Sequence, residues 1–379
     1  MDLLFWTSAW FIFYPYAGYP LLLVLLRPLL GQRVRRAAFE PPITFIISAY
    51  NEARNMERKL DNTLALDYPR SQLEILVASD ASTDATDSIA ARYAGRGVEL
   101  IRLPERGGKV ACQNAAIARA TGDILVFSDA RIILAPGSLR AMMQNFADPT
   151  VGCVSSRDEI VDERGEPERG AGEGFYVRYE MALRQAEADL GTLVGASGSF
   201  YAVRRSLADA WAPGFERDFL TPLKVAAAGF RTAHEPAAIG YYSALVQPSD
   251  EFRRKVRTVM RGMAVLFHMR TLLNPFRYPR FAWQVWSHKI LRWTVPFFLL
   301  TLLGSSAVLA GRGAIYAAAL AAQIGLYSLA LAAFLDRRLE TRLIFRLPLF
   351  FANVNLSILV AWVRYLTGGR QVTWEPSRR

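Results

Sequence analysis

Runs of consecutive apolar residues, bounded by turn residues and followed by amphipathic stretches, set the rhythm of the first half of the chain. The run ITFIISAY (43–50) reads as a buried strand, and Asn51 with Glu52 opens an amphipathic helix through Leu66, Asn51 suiting an N-cap. LEILVA (73–78) reads as a second strand, ending in SDASTDAT, where Asp80 sits at the C-terminal edge and Ser82 to Asp84 start a helix. VELIRL follows as a third strand, then the pair Gly107-Gly108 and Lys109 at the start of a helix. The fourth strand, Ile124 to Phe127 within TGDILVFSDAR, delivers Asp129 to its C-terminal edge. Strands alternating with helices in this way predict an α/β fold with a mostly parallel sheet covered on both faces, and such sheets bind ligands at the carboxyl ends of their strands.

A different pattern frames this part. Leu3–Leu26, Trp293–Gly311 and Ala314–Leu335 carry no charge, and Leu343–Val363 is apolar apart from interruptions that include Arg346, Pro348, Asn353 and Asn355. A helix of about 20 such residues crosses a hydrocarbon core of roughly 30 Å. The first of them lacks a basic leader and a small-residue cleavage site, so it reads as an anchor and not a signal peptide. Arg27, Arg33, Arg35 and Arg36 follow it, which puts that end and the region after it on the cytosolic side. Pro279–Arg292 mixes Phe281, Trp283 and Trp286 with His288, Lys289 and Arg292, as expected of an interfacial helix. The expected organisation is an N-terminal transmembrane helix (1–28), a cytosolic domain (40–270), an interfacial helix (279–292) and C-terminal transmembrane helices (293–366). The last hydrophobic segment is open to a re-entrant reading, which would keep both flanking arginine clusters, including Arg370, Arg378 and Arg379, on one side.

Composition agrees with lipid contact: 52% of the 379 residues are hydrophobic. The formal charge of +11 gathers beside apolar segments and accompanies no nucleic-acid motif, so it is assigned to lipid head groups, with no nucleic-acid partner. Cys112 and Cys153 fall in core elements without metal-ligand spacing, and His234, His268 and His288 are scattered. A cysteine or histidine metal centre is not expected.

SAYNE, VASDASTD, RGGKVACQN and TGDILVFSDA, in that order, resemble the nucleotide-sugar half of the membrane-associated family 2 glycosyltransferases, inverting enzymes of the GT-A fold. GASGSFYAVRRSL and FERDFLTPLKVAAAGFRTAHEP are similar to that family's acceptor-side motifs, and EFRRKVRTVMRG resembles its basic helix, often QxxRW. The resemblance spans about Pro42 to Met269. It implies a nucleoside-diphosphate sugar donor, usually of uridine, with a divalent cation (Mg or Mn) on the diphosphate, and a lipid-linked or polysaccharide acceptor. It places a multi-pass protein in the cell inner (plasma) membrane with the catalytic domain cytosolic.

The same resemblance assigns roles to residues. Asp218 matches the general base, although alone it also reads as a cap of the helix beginning near Phe219. Asp129 matches the metal-facing carboxylate. Asn51, Glu52 and Asp80 fall to the nucleoside pocket, and Lys109, Arg254 and Arg257 to phosphates. Two departures stand out: Asp129-Ala130-Arg131 replaces the usual DxD, and the basic helix has neither the Gln nor the Trp, Thr258 standing in for the latter. A guanidinium cannot ligate a cation, so Arg131 points away or meets a phosphate directly. Single transfer, processive polymer synthesis through a channel, and a silent nucleotide-binding subunit are the competing readings. The Glu-, Arg- and Gly-rich stretch 157–174 reads as a loop.

Overall fold

The computed structural model describes residues 1–161, 173–210, 215–243 and 248–369; most of the predicted 157–174 loop and the tail arginines lie outside these. Strands β1 (Ile43–Ala49), β2 (Leu73–Ser79), β3 (Val98–Arg102) and β4 (Ile124–Asp129) form as the apolar runs predict. They pair in parallel in the order β3-β2-β1-β4. Being buried on both faces, they show continuous apolar runs and not alternation. Phe45, Ile47, Ile75, Val77 and Val126 point into one core, and Ile46, Leu76, Ala78, Leu125 and Phe127 into the other.

Beyond β4 the sheet turns mixed. It continues through β7 (Phe200–Arg204), β6 (Val151–Val161) and β8 (Arg231–Ser243) to the short β5 (Ile133–Leu134). β7 runs antiparallel to both β4 and β6, whereas β6 and β8 are parallel. This polarity matters for chemistry: the start of β7 and the end of β6 come to the same edge as the ends of β1, β2 and β4.

Helices α3 (Ala53–Leu64), α4 (Thr86–Arg92), α5 (Lys109–Arg119) and α6 (Ser138–Gln144) cover the sheet, followed by α7 (Glu173–Leu190), α8 (Arg217–Ala227) and α9 (Pro248–His268). α3 starts one residue later than the predicted cap implies. Glu52 holds the N-cap position, and Asp84 accepts the Ala53 N–H at 3.1 Å.

Four helical segments are long and apolar enough to cross a membrane: Asp2–Leu30, Pro279–Arg312, Ala314–Leu335 and Leu343–Leu366. The first comprises α1 (Asp2–Phe13), a π turn and α2 (Tyr19–Leu30); the second comprises α10 (Pro279–Val285), a π turn and α11 (Leu291–Leu309). The stretch read as a separate interfacial helix therefore runs continuously into the next segment, because no helix breaker stands between Trp286 and Leu291. α12 (Ala314–Leu335) and α13 (Leu343–Leu366) complete the set, the latter uninterrupted through Pro348. Large apolar side chains such as Leu22, Val308, Phe334 and Leu335 face outward on these helices, the inverse of a water-facing surface. α2 packs on α7 through Tyr19, Leu23, Leu183 and Leu190, and α13 packs on α9 through Ala361, Val256 and Met260. The apolar helices thus close over the strand-end edge of the sheet.

Candidate active site

A cavity of about 480 Å³ opens at that edge and reaches up to the apolar helices. Glu52, Asp80, Lys109, Asp129, Asp218, Arg254 and Arg257 all line it; Asn51 does not. Asn51 takes a left-handed backbone (φ 52°) and ties two loops together, accepting from Thr83 N–H at 2.9 Å through Oδ1 and donating to Thr83 Oγ1 at 3.2 Å.

Each remaining position has a local cause. Asp80, buried at the end of β2, accepts the backbone N–H groups of Gly107 (2.7 Å) and Gly108 (2.9 Å) and so shapes the turn that opens α5. Gly108 has φ 84°, a conformation that favours glycine. The turn presents Lys109, whose Nζ lies 2.5 Å from Asp129 Oδ1 and donates to Gly198 carbonyl at 2.9 Å. Burial works against the ammonium, but Asp129 and then Asp218 outweigh it and raise its pKa, so Lys109 is firmly cationic.

Asp218 lies in the first turn of α8, whose N-cap is Glu216, so the cap reading does not describe it; its Oδ1 accepts the Phe219 N–H at 3.0 Å. Burial first, and the neighbouring Glu216 second, push its pKa up to about 6, against the pull of Lys109. A carboxylate tuned in this way accepts a proton efficiently near neutral pH.

Arg131 neither faces outward nor stands alone: its Nε donates to Glu52 Oε1 at 2.6 Å, while Asn55 donates to Glu52 Oε2 at 2.7 Å. Burial raises the Glu52 pKa, and Arg131 opposes that rise. On the basic helix, Arg261 pairs with Glu216 at 2.8 Å, linking α9 to the turn that carries Asp218.

Three features of the site were not anticipated. Asp158, in the C-terminal half of β6, accepts from Ser197 Oγ (2.7 Å) and Ser199 Oγ (2.6 Å) beside Asp129, whose N–H donates to Ser199 carbonyl at 3.0 Å. Lys59 is fully buried behind Asp129 and donates to Ser128 Oγ and Ile132 carbonyl, both at 2.7 Å. Burial lowers its pKa to about 7. α7 contributes Tyr176, Val177, Glu180, Met181 and Arg184, a helical face lining the upper cavity. Glu180 accepts from His288 Nε2 (2.9 Å) and Arg292 (3.0 Å). Although burial alone would raise it, His288 and then Arg292 hold the Glu180 carboxyl well below its ordinary pKa.

Among the described residues no group of three His, Cys, Asp or Glu side chains is placed to hold a metal ion. Asp129 nonetheless suits a hard divalent cation. Its side chain is 35% exposed to the cavity, and such ions are commonly held by one or two carboxylates, keeping waters and substrate phosphates as further ligands.

A parallel sheet whose acidic strand ends face a cavity, extended by a mixed half that brings a second carboxylate to the same edge, defines a GT-A type of fold. Residues 44–211 match the family model "Glycosyl transferase family 2", and the chain carries a family 2 glycosyltransferase domain. It is similar to Glycosyltransferase AglE of Haloferax volcanii, 35% identical over 91 residues that make up 24% of this chain and 30% of the relative. It is also similar to poly-beta-1,6-N-acetyl-D-glucosamine synthase of Staphylococcus aureus, 25% identical over 248 residues, 63% of this chain and 58% of the relative. The chain therefore spans less than two thirds of either relative. The solved mannosyltransferase PcManGT of Pyrobaculum calidifontis, in complex with GDP-Man and Mn2+, superposes with TM-score 0.72 at 25% identity, covering 96% of this chain and 98% of that one.

Proposed function

We propose that the chain is an inverting glycosyltransferase acting at the cytosolic membrane face, moving a sugar from a nucleoside-diphosphate sugar to a lipid-linked or polysaccharide acceptor. The observation that carries this reading is the convergence of Asp80, Lys109, Asp129 and Asp218, distant in sequence, on one cavity. In this scheme Asp218 accepts the proton of an acceptor hydroxyl as its oxygen attacks the anomeric carbon. The bond from that carbon to the diphosphate breaks on the opposite face, and the nucleoside diphosphate departs with the bonding pair. Lys109, Arg254 and Arg257 meet the growing phosphate charge. Asp129 would hold a divalent cation, which when bound neutralises the diphosphate. Asp80 and Glu52 shape the nucleoside end.

The arginines after the first apolar segment support a cytosolic domain, and the four apolar helices support multi-pass anchoring. The family resemblance implies uridine, whereas the solved neighbour holds GDP-Man. Titration of the purified chain with UDP- and GDP-sugars, following nucleoside diphosphate release in membrane extract, decides the base and tests the activity. Turnover that Asp218→Asn abolishes while donor binding persists is the expected result; full turnover in that variant overturns the assigned base.

A further inference from the structure

The upper cavity, beyond Asp218, is lined by cations that the donor-side scheme does not use. Lys289, in the π turn between α10 and α11, is close to the base-bearing loop: a Cβ on Gly195 would meet its Nζ at 3.8 Å and Phe219, next to Asp218 in the chain, at 3.5 Å. Its Nζ contacts His288 Nε2 at 3.4 Å, and among the described residues no carboxylate is paired with it. The nearby Glu180 is already committed through both oxygens, to His288 and Arg292. Arg184 stands near enough to repel Lys289, although Glu180 attracts Lys289 more strongly. The buried Nη1 of Arg184 has no hydrogen-bond partner and forms a 3.9 Å ion pair with Asp158 Oδ2, the other oxygen of Asp158 accepting from two serines. Lys289 without a paired carboxylate, and a guanidinium nitrogen of Arg184 that meets its counter-charge only at 3.9 Å and makes no hydrogen bond, leave room in this partly buried wall for an anion to join both. The same cavity continues to Tyr16, Val354, Ser357 and Ile358 on the apolar helices, so its upper end is bounded by membrane-type segments.

We propose that Lys289 and Arg184 bind the phosphate or diphosphate of an acceptor lipid whose hydrocarbon chain leaves between the apolar helices. This rests on the transferase reading and narrows its acceptor to an anionic amphiphile. Lys289 and Arg184 act as binding residues, holding the lipid so that its reacting oxygen reaches Asp218.

The full chain in phosphatidylcholine nanodiscs is titrated with farnesyl phosphate, farnesol, inorganic phosphate, UDP and GDP. Farnesyl phosphate is expected to bind at least about tenfold tighter than either farnesol or inorganic phosphate, since charge-assisted contact and apolar burial act together. Lys289→Gln is expected to weaken farnesyl phosphate about tenfold and to leave nucleoside diphosphate affinity unchanged, with Lys289→Arg restoring most of the loss. Arg184→Gln provides the same readout should the Lys289 variant misfold. Equal binding of farnesol, equal binding of inorganic phosphate, unchanged farnesyl phosphate affinity in both variants, or a parallel loss of nucleoside diphosphate affinity overturns the proposal. Absence of nucleoside diphosphate binding in the unaltered protein counts against the transferase reading instead, and leaves the lipid-phosphate result to be read on its own.

Discussion

Gly198 and Asp218 are in such close apposition that a Cβ on the glycine would overlap Asp218 Oδ2 and stand 3.4 Å from Asp218 Cγ. The backbone of Gly198 is also fixed, since its carbonyl accepts from Lys109. The side chain that must give way is therefore the mobile end of Asp218. Gly198→Ala is expected to lower turnover by at least about tenfold, because an ångström-scale misplacement of a reacting group costs that much or more. Melting temperature and nucleoside diphosphate affinity should stay near those of the unaltered chain. A variant with full turnover would mean that Asp218 does not work from the position seen here.

The raised pKa of Asp218, about 6, gives a directional pH prediction. A general base works only when deprotonated, so kcat/KM should fall as pH drops through about 6 and level off above it. An ordinary exposed carboxylate would place that limb near 4. A pH profile measured between 4.5 and 8.5 checks this, with donor binding recorded at each pH to separate binding from chemistry. An acid limb that stays at about 4 would remove the burial of Asp218 as the tuning factor.

The four parallel strands and their acidic ends were legible because two-sided burial leaves unbroken apolar runs, and whatever follows such a run arrives at the ligand edge. Asp80 and Asp129, each following such a run, line the same cavity, and so does Lys109 after the glycine pair. Asp158 falls at the start of the stretch that reads as a loop because it lacks a hydrophobic period, whereas β6 runs on through it to Val161, held by pairing with the distant β8, which no local pattern encodes. Lys59 had a signal that could have been used: Met56, Lys59, Leu60 and Thr63 share the buried stripe of α3, so a lysine stood on an apolar face. α7 interleaves Glu180, Arg184 and Glu187 with apolar residues, and its charges look solvated until the apolar helices are folded over them. Asn51 suited a cap and a nucleoside contact by sequence, yet its side chain joins two loops.

Lys59 leads to a stability prediction. Its pKa is lowered from 10.5 to about 7 by burial, so between these values the unfolded chain binds more protons than the folded one. Stability should then rise with pH from about 7 to about 10. Lys59→Met removes this dependence and leaves the acceptors on Ser128 and Ile132 unmet, at a cost of about 1–3 kcal/mol. Thermal unfolding in detergent at pH 7 and pH 9.5, for both chains, checks it; identical pH slopes in the two would show that Lys59 is not the titrating group.

Restoring the family's acidic pair by Arg131→Asp should not produce a better metal site. Arg131 compensates Glu52, whose side chain is 1% exposed and whose pKa burial already raises. Removing the guanidinium leaves a buried carboxylate unpaired, which typically costs about 3–5 kcal/mol, and the new aspartate adds a like charge. The variant should therefore melt markedly lower than the unaltered chain, with lower turnover at any Mg2+ or Mn2+ concentration. Arg131→Asp combined with Glu52→Gln removes the unpaired charge and should recover much of the melting temperature. Donor affinity in the double variant, measured with and without Mn2+ after EDTA treatment, then reads whether position 131 can take up the second carboxylate. Unchanged stability in the single variant would show that the Arg131–Glu52 pair is not what holds Glu52 in place.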